Sequence, residues 1–156
     1  MPYIVDGNNV MGQTPGWHRD KANARRSLVE QLAEYARLKK ARLTVVFDGA
    51  PDPLLPDSSA HRGVKVLYAE RGSDADARII RLVESSPDAR GITVVTSDNS
   101  LAFIVRARGA RVLRSGEFRK QMAEVFAAPP VADGEHVEIG NVNEWLRYFG
   151  ALPDDE

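Results

Sequence analysis

The 156 residues are 43% hydrophobic and 28% charged, a balance that suits one ordinary globular domain with a sizeable core. The absence of cysteine excludes disulfides, thiolate metal sites and a cysteine nucleophile. The net charge of −1 hides an asymmetry, because residues 1–132 carry 20 Lys and Arg against 15 Asp and Glu, whereas residues 133–156 carry Arg147 alone against seven acids.

Strand-like and helical segments alternate along the chain. Tyr3-Ile4-Val5 is a short apolar run closed by Asp6-Gly7, a strand followed by a turn signal. From Lys21 to Lys40, Leu28, Val29, Leu32, Ala33, Tyr35, Ala36 and Leu38 recur at helical spacing. Leu43 to Phe47 is apolar on both faces, as buried parallel strands are, and ends in a second Asp-Gly pair, Asp48-Gly49. Residues 50–63 hold three prolines and read as a loop, after which Val64 to Tyr68 alternates like a strand. A helix is predicted over Asp74 to Glu84, with Ser73 or Asp74 as its N-cap. Ile92 to Thr96 is a further buried strand, followed by Ser97-Asp98-Asn99, a helix from Leu101 to Arg108, and Gly109 as its C-cap. Arg111 to Arg114 is the fifth strand, and Ser115 opens a helix running to Phe126. This alternation predicts an α/β fold with a central parallel sheet of five strands, covered on both faces. Residues 1–126 form that domain. Residues 127–156 are an acidic C-terminal extension, in which Trp145, Leu146, Tyr148 and Phe149 mark a short aromatic helix that docks on the body or on a second subunit of a homodimer.

In an open parallel sheet, ligands bind outside the carboxyl ends of the strands. The first strand here ends in Asp6, the second in Asp48 and the fourth in Ser97-Asp98, while the helix after the third begins with Asp74 and Asp76. Each Asp has an ordinary structural explanation, Asp-Gly as a turn and Asp74 or Asp98 as a helix cap. Capping, however, is served equally by Ser, Thr or Asn, so Asp at all four of these sites is a much less common accident than Asp at one. Two carboxylates about 4 Å apart repel by on the order of 4 kcal/mol at an effective dielectric near 20, so such a cluster needs protons or cations to offset the repulsion. Mg²⁺ or Mn²⁺, held by carboxylates and substrate phosphate, fits the donor set and can generate a hydroxide for in-line attack. Asn8 can orient a metal-bound water, hold a phosphate or form an Asx-type turn, and Ser97 and Asn99, flanking Asp98, can bond either backbone or a substrate phosphate. His18, His61 and His136 are isolated, so a Ser-His-Asp mechanism has no support. Walker-type and dinucleotide-binding glycine motifs are absent.

Four segments together resemble the motifs of the NYN domain, specifically its YacP-like branch within the PIN-like nuclease superfamily. They are Tyr3-Ile-Val-Asp-Gly-Asn-Asn9, Val45-Val-Phe-Asp-Gly49, Gly72-Ser-Asp-Ala-Asp-Ala-Arg-Ile79 and Val94-Val-Thr-Ser-Asp98. The resemblance spans residues 2–126. It implies a three-layer PIN-like fold with strand order 3-2-1-4-5 and Mg²⁺- or Mn²⁺-dependent endonucleolytic cleavage of RNA. Asp6, Asp48, Asp76 and Asp98 would form the acidic set, assisted by Asn8. The third motif departs from the usual Thr-Ala-Asp-Glu, reading Asp74-Ala75-Asp76-Ala77, so Asp74 and Asp76 stay open as the third metal ligand, with Asp76 preferred. Metal held by Asp6, Asp98 and Asp76 would activate water, and Asp48, with Asp74 beside it, would support the site. Arg62, Arg71, Arg78 and the segment Arg37 to Arg42 are the expected backbone-tracking cations, with His61 beside them. The expected partner is single-stranded RNA, messenger or ribosome-bound. A non-catalytic RNA-binding or ribosome-associated module and a flap-type DNA nuclease are the alternatives. The N-terminal strand and the lack of any run near the roughly 20 apolar residues of a membrane span lead to the expectation of a cytoplasmic protein with no membrane partner.

Overall fold

The computed structural model describes residues 2–69 and 73–127. Along the chain run β1 (Pro2–Asp6), α1 (Gly7–Met11), α2 (Lys21–Lys39), β2 (Arg42–Phe47), β3 (Ser59–His61), β4 (Val64–Tyr68), α3 (Ala75–Glu84), β5 (Thr93–Val95), α4 (Asn99–Ala107), β6 (Arg111–Leu113) and α5 (Ser115–Ala127). The sheet order is β3-β4-β2-β1-β5-β6. Every pairing is parallel except β3 with β4. The five parallel strands therefore lie in the expected order 3-2-1-4-5. The correction is a sixth, antiparallel edge strand, β3, inside the segment read as a loop. Its turn to β4 is Arg62-Gly63, both at positive φ (50° and 90°), as two-residue hairpins of the I′ kind require.

Period-two alternation along the strands sorts side chains to opposite faces. Val5, Val45, Phe47, Val66, Tyr68 and Val95 face a core filled by α1, α2 and α5 through Val10, Leu32, Tyr35, Phe118 and Met122. Ile4, Val46, Leu67 and Val94 face a second core closed by α3 and α4 through Ile79, Val83, Leu101 and Val105. These are the three layers of the fold. Helix α2 buries the predicted stripe, except that Leu38 is exposed. Among the described residues, no helix is long and apolar enough to cross a membrane. The extension beyond Ala127, including the expected aromatic helix and dimer contact, lies outside the described residues.

The Asp6-Gly7 pair is not a turn. Gly7 opens α1 immediately after the strand. A Cβ at Gly7 would stand 2.5 Å from the Phe47 ring and 3.0 Å from Val45 Cγ2, so glycine lets the first helical residue seat against β2. Replacing it forces fully buried Phe47 or the helix to move. Gly7→Ala is therefore expected to destabilise the fold by about 1–3 kcal/mol, the usual cost of overpacking, measured as a lower denaturation midpoint in urea at unchanged m-value.

Candidate active site

Strands β1 and β5 are neighbours at the centre of the sheet. The helices that follow them pack on opposite faces, α1 against the first core and α4 against the second. Their carboxyl ends thus flank the topological switch point, where open α/β sheets place ligands. Asp6 closes β1 there, 5% exposed, and its Oδ2 accepts a 2.9 Å hydrogen bond from the Thr96 hydroxyl at the end of β5. Asp48, just past β2, accepts from the Ala75 N–H at 2.7 Å through Oδ1. Asp98 caps α4, its Oδ1 accepting from the N–H groups of Ser100 (2.9 Å) and Leu101 (3.2 Å). Asp74 caps α3 through the Ala77 N–H at 3.0 Å, and Asp76 lies in the first turn of that helix. The helix starts of α1, α3, α4 and α5 all follow strand ends at this edge, so four positive dipole ends converge with the acids.

The electrostatics register the crowding. Burial pushes the Asp6 carboxyl up to about 6; the bonds from Thr96 and the Asn9 N–H pull the other way, and the charges of Asp48 and Asp98 add to the rise. Asp76 is pushed up to about 7, first by burial, then by Asp6, Asp98 and Asp74, and finally by a hydrogen bond with the Asp98 side chain. Asp76 is thereby drawn into the cluster with Asp6 and Asp98, whereas Asp74 is exposed and occupied as a cap. This favours Asp76 over Asp74 as the acid that completes the site. A divalent cation fits such a donor set, since it neutralises the repulsion that protons otherwise offset. Among the described residues no three acids converge into a ready-made cage.

Two asparagines hold the edge together. Asn8 Oδ1 accepts from the Asp48 N–H at 2.9 Å, clamping the ends of β1 and β2. Asn9 Oδ1 accepts from the Ser97 N–H at 2.8 Å and from the Ser115 hydroxyl at 2.5 Å, tying β1 to β5 and α5. Ser97 is itself structural in part, since its Oγ accepts from the Ser115 N–H at 3.0 Å. Asn99 is exposed in the first turn of α4. Arg25 supports Asp48 from beneath, donating to the Asp48 and Ala50 carbonyls (2.5 and 2.9 Å) while stacking over Phe47 and Tyr68. Sequence reasoning missed Asn9, Thr96, Ser115 and Arg25 as positioning residues. The doubled asparagine after Asp6 was the one local signal available.

Several expected cations are not at this edge. Arg62 and His61 precede β4, at the amino end of the parallel strands, and both bind Glu30 of α2 (2.8 and 2.7 Å). Arg62 also reaches Glu34. The segment Arg37 to Arg42, spanning the end of α2 and the start of β2, shares that opposite edge. A parallel strand reverses edges over its length, so a loop before a strand cannot meet the acids that follow one. Arg78 is at the acidic edge but is committed to the Tyr68 carbonyl at 2.6 Å and to Asp57 at 3.7 Å. Arg71 lies outside the described residues.

Comparison with known proteins places this geometry in context. The model of the YacP-like NYN domain matches residues 3–129. The chain is 32% identical over 112 residues to the uncharacterized protein YacP of Bacillus subtilis (strain 168), a stretch covering 69% of this chain and 66% of that protein, just under two thirds of the relative. A crystal structure of Rae1 (YacP) from Bacillus subtilis superposes with a TM-score of 0.69 at 24% identity, covering 94% of this chain and 80% of that one. A point mutant of the same protein gives 0.67 at 27% identity, covering 80% and 76%.

The raised carboxyls fix a sign for the pH dependence. Because the folded state holds protons on Asp6 and Asp76 that the unfolded chain, with carboxyls near 4, has released, metal-free stability falls as pH rises from about 4 to about 7. Asp76→Asn is expected to flatten much of that fall and to raise stability at pH 7.5, read from urea unfolding in EDTA at pH 5.0 and 7.5. An unchanged slope would contradict the cluster.

Proposed function

The chain belongs to the YacP-like NYN domain family, a family of nuclease-type domains, and we propose that it is a metal-dependent endoribonuclease that hydrolyses phosphodiesters of mainly single-stranded RNA. The observation that carries this reading is the buried Asp6 at the switch point, surrounded by Asp48, Asp76 and Asp98, whose repulsion either protons or a divalent ion would relieve. Asp6, Asp76 and Asp98 would hold Mg²⁺ or Mn²⁺. Such an ion, when bound, lowers the pKa of water and neutralises charge on the phosphodiester.

The chain's own residues do the rest. The Thr96 hydroxyl fixes one oxygen of Asp6. The cap bonds to α4 occupy Asp98 Oδ1 and orient the carboxylate. Asp48 sets the start of α3, and with it Asp76, through the Ala75 N–H. Asn8 spends its carbonyl oxygen on the Asp48 N–H, which leaves its amide N–H₂ to donate to a phosphate oxygen. Ser97 and Asn99, exposed beside the start of α4, present groups of the kind that contact phosphate near a helix N-terminus. RNA as the substrate rests on the family likeness and on the basic excess of residues 1–132.

One observation favours a second reading, a binding module without catalysis: Asp48, Asp74 and Asp98 each already serve a backbone N–H. Cleavage of a fluorescently labelled single-stranded RNA separates the two. With Mn²⁺ the wild-type chain is expected to cut, EDTA to stop it, and Asp6→Asn or Asp98→Asn to slow it at least a hundredfold at unchanged fold, the scale on which lost electrostatic stabilisation acts. Cleavage that survives EDTA, or survives both substitutions together, contradicts the mechanism. RNA binding without cleavage under any divalent ion leaves the binding module.

A further inference from the structure

A second concavity lies on the α1–α2–α5 face of the sheet, with a volume of about 380 Å³, the size range of small-ligand pockets. Its wall begins at Val10 and Met11 of α1 and continues through Trp17 and Leu28 to Gln31 of α2 and Arg119 of α5. Two polar groups in it are anomalous. Gln31 is nine-tenths buried yet has no hydrogen-bond partner among the described residues. Arg119 is half-buried on α5, and desolvation draws its pKa below the ordinary guanidinium value with no carboxylate among the described residues to offset the loss of water. The carboxylate in the wall, Asp20, bonds the Asn23 N–H at the start of α2 (3.1 Å) and makes no ion pair with Arg119. The Gln31 amide bonds no other described residue and the Arg119 guanidinium has lost part of its hydration, so one ligand bearing an anion and a hydrogen-bonding edge would engage both.

We propose that this groove is a nucleotide subsite for the strand leaving the acidic cluster, Arg119 pairing with a phosphate and Gln31 with the edge of a base. The assignment rests on the nuclease reading for the polymer it binds. Three features select a nucleotide. The planar guanidinium matches phosphate oxygens. The Gln31 amide offers both a donor and an acceptor, which a base edge answers and a carboxylate does not. The Trp17 ring, half-buried in the wall with Lys21 Nζ 5.7 Å from its centroid, supplies an aromatic face and a second cation. Position agrees as well, since Val10 is four residues beyond Asp6 along α1, about 6 Å of helix rise.

The test is the affinity of the full chain for a labelled ten-nucleotide single-stranded RNA, followed by fluorescence anisotropy in EDTA at several salt concentrations. Arg119→Ala is expected to weaken binding about tenfold and to lower the salt slope by about one. Gln31→Leu, close in shape, is expected to weaken binding severalfold with the slope unchanged. Wild-type protein that cuts RNA while both variants match it in affinity and slope overturns the subsite and leaves the acidic cluster standing. Conversely, the expected losses in a protein that never cuts support the subsite and remove the nuclease. A fall in melting temperature for Arg119→Ala with RNA affinity intact makes Arg119 a structural residue of the fold, and also overturns the proposal.

Discussion

Carboxylates that converge in a partly buried place repel one another and lose hydration together, and much of this fold is arranged around that unfavourable juxtaposition. Each pair of such charges a few ångströms apart costs several kcal/mol, a large share of the net stability of a domain. The chain offsets part of the cost with what lies within reach. Four helix starts point at the edge, the Thr96 hydroxyl donates to Asp6, and backbone N–H groups serve Asp48, Asp74 and Asp98. What remains is met by protons, which is why Asp6 and Asp76 hold theirs towards neutral pH. On the function proposed above, a divalent ion would compete with those protons for the same lone pairs.

The scaffold keeps the acids in place by bonds between strand ends. Asn8 joins the end of β1 to the residue after β2, and Asn9 joins it to the residue after β5 and to α5. Gly7 allows α1 to begin at once, so that these two amides emerge beside Asp6. The cluster therefore inherits the rigidity of the sheet, with Arg25 holding the Asp48 loop from the α2 side.

Much of this was legible in the sequence because the signals were local. Buried parallel strands read as apolar runs such as Leu43 to Phe47, and the acids that close them were visible as residues following those runs. Which of Asp74 and Asp76 joins the cluster was not legible. Asp74 and Asp76 differ in the α3 turn geometry, which makes one a cap and turns the other towards Asp6 and Asp98. The cations were misplaced for a topological reason: charge composition carries no information about which edge of the sheet a segment occupies, and Arg62 with Arg37 to Arg42 falls on the wrong one. Strand β3 escaped notice because three residues among prolines carry no periodicity, although Arg62-Gly63 fits a hairpin turn. Long-range ties such as Asn9 to Ser115, more than a hundred residues apart, leave no trace in spacing.

The central claim is that the acids at the ends of β1 and β5 and the start of α3 form a divalent-cation site. Anomalous diffraction from a crystal soaked in Mn²⁺ tests it most directly. A manganese peak within coordination distance of Asp6, Asp76 and Asp98, with Asp74 left on its helix cap, is the expected result. Peaks confined to other surfaces, with none beside Asp6, Asp76 and Asp98, would contradict it.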